Sequence, residues 1–444
     1  MRRPIQRSYT TAVVLFCSVG ILALHGCASG VGPGPLPPTG KIQHIVIIVQ
    51  ENRTPDNLFH GLPNADIANN GKNSKGQTIP LTSIGLDTNY DLDHSHDGFL
   101  AMYNGGKMDG ADKVGTSCHK GNCVNPQFHY VDPSEAQPYL QMAQQYTFAD
   151  RMFQTNQGPS FPAHQFLIAG TSAPTATSKL FAAENVLIPA NPANNQNAGC
   201  AGPPGETVAM IDPMGSEATK QFPCFEHPTL IDLLDSHGIT WKYYAPSPGS
   251  IWTGPNAIHH LRFGSDWLNV IIPQSSVLTH ISNGELAQVT WVIPDGRSSD
   301  HAGINDGSGP SWVASVVNAV GNSAFWSNTV ILITWDDWGG WYDHVAPNVM
   351  NSYEYGFRVP LIVMSPYAKK GYVSHVTHDF GSLLRFTEAV FRLPTLGYAD
   401  SLADDLSDCF DFTQRPTSFQ PFDSKYDAPY FLNDHRPPLD PDDD

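Results

Sequence analysis

The sequence predicts an α/β fold in which a mostly parallel central sheet is sandwiched by helices. Short apolar, β-branched runs at residues 44–49 (HIVIIV) and 329–335 (TVILITW) are typical of strands that are buried on both faces. Similar runs alternate with helical patterns along the second half of the chain, as expected of a parallel sheet with covering helices. Glycine (38) and proline (37) are plentiful among the 444 residues, which indicates long loops between these elements.

The remaining elements follow from local patterns in chain order. Beyond the two runs above, strands are predicted at 239–244 (ITWKYY), at 289–293 (VTWVI) and at 359–364 (VPLIVM), and residues 138–151 (PYLQMAQQYTFADR) indicate a helix and a short strand. Further helices are predicted at 163–169, 229–236 (TLIDLLDS), 312–320 (WVASVVNAV) and 381–391 (GSLLRFTEAVF). The polar, Gly/Asn-rich segments 54–137 and 172–225 lack such periodicity, so we expect long loop insertions on the active face there.

The start of the chain predicts export. Three arginines precede an apolar, uncharged stretch at residues 11–24, which is the pattern of a signal peptide. This stretch is shorter than the roughly 20 residues that span a bilayer, so a permanent membrane helix is disfavoured. Residues 24–27 (LHGC) are similar to a lipoprotein processing site with Cys27 as the lipidated residue, although His25 is larger than the residue expected there. Cleavage without lipidation is therefore the alternative.

These patterns divide the chain into four parts. We expect a signal peptide at 1–26, a Pro/Gly-rich tether at 27–40, a single domain at 41–435 and a disordered acidic tail at 436–444. Removal of residues 1–26 deletes three arginines and no acidic residue, which moves the formal net charge from −18 to −21. Such an acidic surface argues against nucleic acid or an anionic membrane as the main partner.

Export also permits disulfides. Five cysteines follow the leader and tether: Cys118, Cys123, Cys200, Cys224 and Cys409. We expect Cys118 to pair with Cys123 and Cys200 with Cys224, which leaves Cys409 alone. Zinc binding by Cys118, His119 and Cys123 is an alternative, but their spacing does not match that of structural zinc ligands.

The strongest functional signal lies at the ends of two predicted strands. The run at 44–49 leads into Glu51 and Asn52, and the run at 329–335 leads into Asp336 and Asp337. In an open α/β sheet, ligands bind at the carboxyl ends of the strands. If the two strands are neighbours, three carboxylates and an amide meet at one point, and such a group requires a cation or shared protons. The sequence therefore predicts a divalent metal site.

Other segments supply the groups that phosphoryl transfer requires. Ser160 lies where a helix is expected to start, and backbone N–H groups there favour both an alkoxide and a bound phosphate. His94, His301 and His344 lie in polar loops, and histidine titrates close to neutral pH, which suits a proton donor. A hydroxyl, a cation and a proton donor together make up a phosphoryl-transfer site.

Each of these residues also has a purely structural interpretation. Glu51 and Asn52 are compatible with capping a helix or turn, Asp336 and Asp337 with turn formation before a Gly-Gly pair, and Ser160 with an N-cap. Histidines in such loops are commonly solvated or hydrogen-bonded within the core. The aromatic side chains Trp335, Trp338, Trp341 and Tyr342 are typical of a core or a pocket wall. Only the joint arrangement of polar groups at strand ends favours chemistry.

At these residues the chain resembles the phosphoesterase family that groups bacterial phospholipases C with a secreted acid phosphatase. The similar blocks run in order from 42 to 391. They are 44–59 (HIVIIVQENRTPDNLF), 91–96, 104–109 (NGGKMD), 158–172 (GPSFPAHQFLIAGTS), 240–244, 291–301 (WVIPDGRSSDH), 334–345 (TWDDWGGWYDHV) and 356–366 (GFRVPLIVMSP).

This resemblance implies an alkaline-phosphatase-like α/β sandwich and metal-assisted hydrolysis through a phosphorylated hydroxyl. It places Glu51, Asn52, Asp336 and Asp337 as metal ligands and Ser160 as the nucleophile, which also touches the metal. His94 and His301 match histidines that contact the phosphoryl group or the leaving oxygen. His344 matches a further Asp-His pair. Oxygen ligands with an amide favour Mg²⁺, Ca²⁺ or Mn²⁺ over Zn²⁺.

Three departures from the family pattern bear on the substrate. Members that act on phospholipids have threonine at the nucleophile position, so Ser160 is closer to the acid phosphatase type. His164 replaces an Arg-like residue, and Pro55 replaces an aromatic residue. The chain also lacks the additional C-terminal domains of the large secreted phospholipases C.

The sequence thus predicts an exported, metal-dependent phosphoric ester hydrolase, acid-phosphatase-like in cleaving phosphomonoesters. Phospholipase C activity on phosphodiesters is the nearest alternative, and a non-catalytic surface lipoprotein that binds metal or a phosphorylated ligand is the alternative of another class. Sulfate-ester hydrolysis is disfavoured because no sulfatase-like signature is present. The expected partner is a small phosphate ester or a phospholipid head group. Membrane contact is expected only through the lipid anchor, in the bacterial cell envelope, unless the protein is secreted.

Overall fold

A mainly parallel sheet of eight strands lies at the centre of the protein in the computed structural model, which describes residues 40–118, 123–188 and 197–439. The strands are β1 (His44–Gln50), β2 (Thr147–Ala149), β3 (Trp241–Tyr244), β4 (Val270–Ile271), β5 (Val289–Val292), β6 (Thr329–Trp335), β7 (Leu361–Met364) and β8 (Tyr372–Ser374). Their spatial order is β4-β3-β5-β1-β6-β7-β2-β8. Within this sheet only β7 runs antiparallel to its neighbours, so the predicted mostly parallel sheet is confirmed.

Helices cover both faces of this sheet. Successive side chains of a strand point to opposite faces, and all five residues from Ile45 to Val49 in β1 are fully buried. The helices are α1 (Pro55–Leu58), α2 (His96–Tyr103), α3 (Gln137–Gln145), α4 (Ser160–Ala169), α5 (Leu230–Ser236), α6 (His259–Phe263), α7 (Ser276–Ser282), α8 (Gly309–Gly321), α9 (Phe380–Phe391) and α10 (Ala428–Leu432). Helix α8 packs on α3, α7 and α10, whereas α4 packs on α5 and α9. This arrangement confirms the predicted α/β sandwich.

The segments that were expected to be loops contain short regular elements. Small sheets there pair Asn70–Lys72 with Thr78–Pro80, Thr82–Ile84 with His129–Val131, and Tyr90–Leu92 with Thr116–Cys118, and Val208–Ile211 lies between Phe181–Ala182 and Thr219–Gln221. Outside these segments, Met152–Phe153 pairs with His378–Asp379. Helix α2 begins after Ser95, whose Oγ accepts the Gly98 N–H. Strands of two to four residues are too short to produce a recognisable period, which is why the sequence pattern missed them.

Both predicted disulfides are present. Cys118 is bonded to Cys123 and Cys200 to Cys224, so Cys118 and Cys123 are not zinc ligands. Cys409 is buried and is the one free cysteine of the described residues. No helix within the described ranges has the length and apolar character required to cross a bilayer.

The predicted signal peptide, Cys27 and almost all of the tether lie outside the described residues, as do residues 440–444 of the predicted tail. The described part of that tail contacts the domain. Leu439 N–H donates to Asp295 Oδ2 over 3.0 Å, and the Pro437 carbonyl accepts from Arg297 Nη1 over 3.0 Å. These hydrogen bonds hold residues 437–439 against the loop that follows β5.

Candidate active site

The predicted pairing of the two acidic strand ends is present. β1 and β6 are adjacent and parallel, and Gln50 pairs with Trp335 in the last register position. Beyond that pair, the Asp336 N–H donates to the Gln50 carbonyl over 2.9 Å, and the Asn52 N–H donates to Asp336 Oδ1 over 3.1 Å. The side chains of Glu51, Asn52, Asp336 and Asp337 are all fully buried. The sheet therefore brings together the four predicted metal ligands.

A tight contact with a glycine fixes the position of Asn52. Asn52 has a left-handed backbone (φ 63°), a conformation that asparagine tolerates better than most residues. Gly339, in the turn after the acidic pair, has φ 61°, and a Cβ atom added there would lie 2.3 Å from the Asn52 carbonyl oxygen. The turn at Gly339 can therefore approach Asn52 only because this residue has no side chain.

We expect Gly339→Ala to displace Asn52 and to weaken metal binding by at least about tenfold, because ligand position sets metal affinity. Gly284→Ala is the matched control: Gly284 has a similar φ of 78°, but an added Cβ there would meet no atom within 4 Å. Isothermal titration with Mn²⁺ of both variants provides the measurement. Equal affinity in the two variants would show that the contact with Asn52 is unimportant.

Ser160 lies directly beside the carboxylates. It is the first residue of α4, and Pro159 occupies the N-cap position, so the Ser160 hydroxyl is free of the capping role. Its Oγ lies 3.1 Å from Asp337 Oδ2 and 3.3 Å from Glu51 Oε2, and the hydroxyl proton can be donated to one of them at a time. A buried hydroxyl between two carboxylates is well placed to lose its proton.

His164 lies one helical turn after Ser160 and faces the same group. Its Nε2 is 3.2 Å from Glu51 Oε1 and 3.8 Å from Asp336 Oδ2, and all three side chains are fully buried. Residues four apart in a helix share a face, so the spacing from Ser160 was the signal available in the sequence. His164 was noted there as a departure from the family pattern, but its contact with the acidic group was not predicted.

His94 and His301 lie together, with ring centroids 5.7 Å apart. His94 Nδ1 is 2.8 Å from the Leu92 carbonyl, and His301 Nδ1 is 2.7 Å from the Ala302 carbonyl. A carbonyl can only accept, so each Nδ1 carries a proton. His94 Nε2 lies 3.2 Å from Asn52 Nδ2, which links this pair to the acidic group.

The donor set fits a divalent cation. The Asn52 amide nitrogen donates to His94 Nε2, which leaves the amide oxygen Oδ1 facing elsewhere. Among the described residues, neither Asn52 Oδ1 nor Asp336 Oδ2 has a hydrogen-bond partner. Both atoms are buried, and a buried oxygen without a partner is costly. Three buried carboxylates this close together require shared protons or compensating positive charge, and a bound ion would supply that charge.

Comparison with known proteins identifies the family. Residues 42–394 match the Phosphoesterase family. The chain belongs to this family. Phospholipase C B of Mycobacterium tuberculosis is 23% identical to it over 462 residues, which cover 89% of this chain and 82% of that protein. The non-hemolytic phospholipase C of Pseudomonas aeruginosa is also 23% identical, over 84% of this chain and 57% of its own length. Among solved structures, a Vibrio parahaemolyticus protein of the alkaline phosphatase superfamily is similar to this chain. The TM-score is 0.37 and the identity 11%, over 83% of this chain and 72% of that one.

The protein is therefore a hydrolase that acts on phosphoric ester bonds. In this phosphoesterase the aromatic residues that were expected in a core or pocket wall are buried, as predicted: Trp335, Trp338, Trp341 and Tyr342. Trp252 lies between two of the histidines, with its ring centroid 6.4 Å from that of His164 and 6.3 Å from that of His301. Aromatic packing on both imidazoles fixes their orientation.

His344 of the phosphoesterase lies in a different cluster from Ser160. Its Nδ1 is 2.8 Å from Asp56 Oδ2, its Nε2 is 3.1 Å from Asp66 Oδ1, and Arg358 joins the group through a bidentate pair with Asp343. Burial acts to lower the pKa of His344, but the hydrogen bond and charge of Asp56 outweigh it and raise the pKa to about 9. The geometry gives His344 an ion-pair role in holding the loop after Asp337, and the hydrogen bonds of the described residues do not join it to Ser160.

A second group that was not predicted positions His301. Arg53 donates from Nε and Nη2 to the Asp300 carbonyl over 2.9 and 2.6 Å, and it stacks on Trp341. The Asp300 carboxylate accepts from the Tyr139 hydroxyl over 2.8 Å. Burial raises the pKa of Asp300 to about 6, although the charge of Arg53 acts in the opposite direction. Arg53 thus connects the Asn52 turn to the His301 loop.

Proposed function

We propose that the protein is a metal-dependent phosphomonoesterase that acts through a phosphorylated Ser160. The observation that carries the proposal is the position of the Ser160 hydroxyl at a helix start, within 3.3 Å of Glu51 and 3.1 Å of Asp337. A nucleophile, acidic ligands and two histidines at one sheet edge match the requirements of phosphoryl transfer.

Glu51, Asn52, Asp336, Asp337 and the Ser160 hydroxyl would hold the divalent ion. When bound, such an ion supplies charge for the phosphoryl oxygens and favours the deprotonated serine. Five oxygen donors favour Mg²⁺, Ca²⁺ or Mn²⁺, whereas the imidazole of His164 beside them is the feature that favours Zn²⁺. We give more weight to the oxygens because they are more numerous.

The chain's own groups account for the proton transfers. Ser160 Oγ attacks phosphorus while its proton passes to Asp337 or Glu51, and the N-terminus of α4 stabilises the negative charge. The bond from phosphorus to the leaving oxygen breaks, and a histidine protonates that oxygen. That histidine is His94 or His301, which lie together beside the acidic group. Water then attacks the phosphoserine with the same histidine acting as base, which releases phosphate and restores Ser160.

Two features support a monoester substrate. Serine at the nucleophile position is closer to the acid phosphatase type, as the resemblance implies. The predicted catalytic and metal-binding side chains are also enclosed, with at most 2% of their surface exposed for Ser160, His94 and His301. An enclosed site of this kind suits a terminal phosphoryl group more readily than a diester with substituents on both sides.

Phospholipase C activity is the second candidate, because the relatives from Mycobacterium tuberculosis and Pseudomonas aeruginosa bear that name. The deciding experiment incubates the purified protein with p-nitrophenyl phosphate and with phosphatidylcholine vesicles, each with and without EDTA. We expect metal-dependent release of p-nitrophenol and inorganic phosphate from the monoester, and little diacylglycerol. Diacylglycerol as the dominant product would instead support the phospholipase, and hydrolysis of neither ester would contradict both candidates.

Export through the predicted leader and lipidation of Cys27 remain part of this proposal, because the leader pattern supports them. Metabolic labelling of the protein with a palmitate analogue tests the anchor, and we expect the label to be lost in Cys27→Ser.

A further inference from the structure

A compact group of side chains that are able to bind a metal lies at one edge of the sheet, the edge opposite β4. It joins the edge strand β8, the residue before α9's cap and the short 3-10 helix Ser407–Cys409. Two strands, β7 and β2, lie between β8 and β6 in the sheet, so this group is distinct from the Ser160 site. One donor atom each from His378, Asp408 and Cys409 lie within 4.8 Å of one another.

The imidazole of His378 is the centre of the group and is fully buried. Its Nε2 lies 3.5 Å from Asp408 Oδ1 and 3.2 Å from Ser374 Oγ, and its Nδ1 lies 3.0 Å from Asp404 Oδ1. A carboxylate on the far nitrogen is the arrangement that orients a metal-binding histidine and increases its basicity. Asp404 is in that position, so Nε2 is the nitrogen that points to Asp408.

A thiol and a carboxylate complete the donor set. Cys409 Sγ lies 3.6 Å from Asp408 Oδ1, and the other Asp408 oxygen accepts from the Ser374 hydroxyl. Cys409 is buried and unbonded to the other described cysteines, whereas the four others form disulfides. Asp408 is 10% exposed and Asp404 is 28% exposed, which leaves a polar route from solvent to the group.

The chemistry of these donors selects one class of ion. A thiolate with an imidazole and a carboxylate is the ligand combination of Zn²⁺ and related late transition metals, whereas Mg²⁺ and Ca²⁺ are bound by oxygen. Two donor separations, 3.5 Å from His378 Nε2 to Asp408 Oδ1 and 3.6 Å from Cys409 Sγ to the same oxygen, are compatible with neighbouring corners of a tetrahedron around one ion. Ser374 Oγ or a water is available for the fourth corner.

We propose that His378, Asp408 and Cys409 form a structural site for a zinc-class divalent ion, independent of the Ser160 centre. On binding, the Cys409 S–H bond breaks, the sulfur–metal bond forms, and the proton passes through Asp408 to solvent. The ion fastens the segment around residue 409 to β8 and to the start of α9. This segment also contacts β2, since Thr147 Oγ1 donates to the Cys409 carbonyl over 3.1 Å.

The test strips the purified full-length protein of metal with a chelator and titrates it with Co²⁺ and then Zn²⁺. We expect one equivalent of Co²⁺ to produce a thiolate-to-cobalt charge-transfer band, which Zn²⁺ then removes. An oxygen site such as the Ser160 centre cannot produce this band, so failure of the proposed activity would leave this result unchanged. Labelling with a thiol reagent under denaturing conditions checks that Cys409 is reduced before the titration.

Three variants assign the band to Cys409. Each of them, and the parent with which they are compared, carries serine in place of both Cys17 and Cys27. Cys409→Ser should lose it completely, and Asp408→Asn should weaken Zn²⁺ binding by more than the roughly 10–100-fold typical of an outer-shell partner. Asp411→Asn, which makes the same charge change two residues away from Cys409, should bind as the parent does. The proposal is overturned if the folded parent shows no thiolate band, or if Cys409→Ser and Asp408→Asn bind Zn²⁺ as tightly as the parent.

Discussion

Ser160→Ala is expected to reduce phosphate release by on the order of 10³-fold or more, because no other group can take over covalent attack on phosphorus. The fold should be retained, since Ser160 is not the N-cap of α4 and its hydroxyl bonds to Glu51 and Asp337 rather than to a backbone group of the helix. Initial rates with p-nitrophenyl phosphate measure the effect, and far-ultraviolet circular dichroism confirms the fold.

Ser315→Ala is the matched control for that variant. Ser315 is a buried serine within α8, and its Oγ donates to the Ser311 carbonyl over 2.8 Å. Loss of that bond should leave the rate within about twofold of the parent, because Ser315 lies within α8 and bonds to its own helix rather than to the acidic group. More than about a tenth of parental activity in Ser160→Ala would rule out Ser160 as the nucleophile.

Asp336→Asn is expected to change stability in opposite directions with and without metal. Asp336 Oδ1 accepts the Asn52 and Asp337 N–H groups over 3.1 and 2.7 Å, and an asparagine oxygen can keep both bonds. Without metal, the variant removes one of three crowded negative charges, so its thermal midpoint should exceed that of the parent. With metal, the parent gains about 4 kcal/mol when the ion is at 1,000 times its Kd, and the variant should gain little.

Thermal unfolding in EDTA and in excess Mn²⁺ measures both parts of this prediction. Asp423→Asn makes the same charge change at an exposed site and should follow the parent in both conditions. Activity of Asp336→Asn should fall with its metal content. A variant that is stabilised by Mn²⁺ as strongly as the parent would show that Asp336 is not a ligand.

The parts of the fold that burial dictates were predictable. The strand predicted at 329–335 is Thr329–Trp335 in the structure, because a strand covered on both faces needs an unbroken apolar run. Burial does not depend on strand direction, so antiparallel β7 has an apolar composition like that of its parallel neighbours. Its direction could therefore not be predicted. The two residues of β4 carry too little pattern to be recognised.

The site was predictable where adjacency in the sheet decides position, and not where a turn does. Glu51 and Asp336 follow neighbouring strands, so their meeting follows from topology. His344 follows the acidic pair closely in sequence, but the turn at Gly339 and Gly340, both with positive φ, directs it to Asp56 instead. Contacts such as that of His164 with Glu51 depend on helix orientation, which local patterns do not specify.

The 284 positions of chain between Asn52 and Asp336 have a consequence for assembly. Contacts of such long range require closure of a long loop, so we expect them to form after the intervening strands have docked. Cation capture at this edge should therefore coincide with the last cooperative step of refolding. A fluorescence or luminescence signal from a bound lanthanide would then report completed maturation of the whole domain.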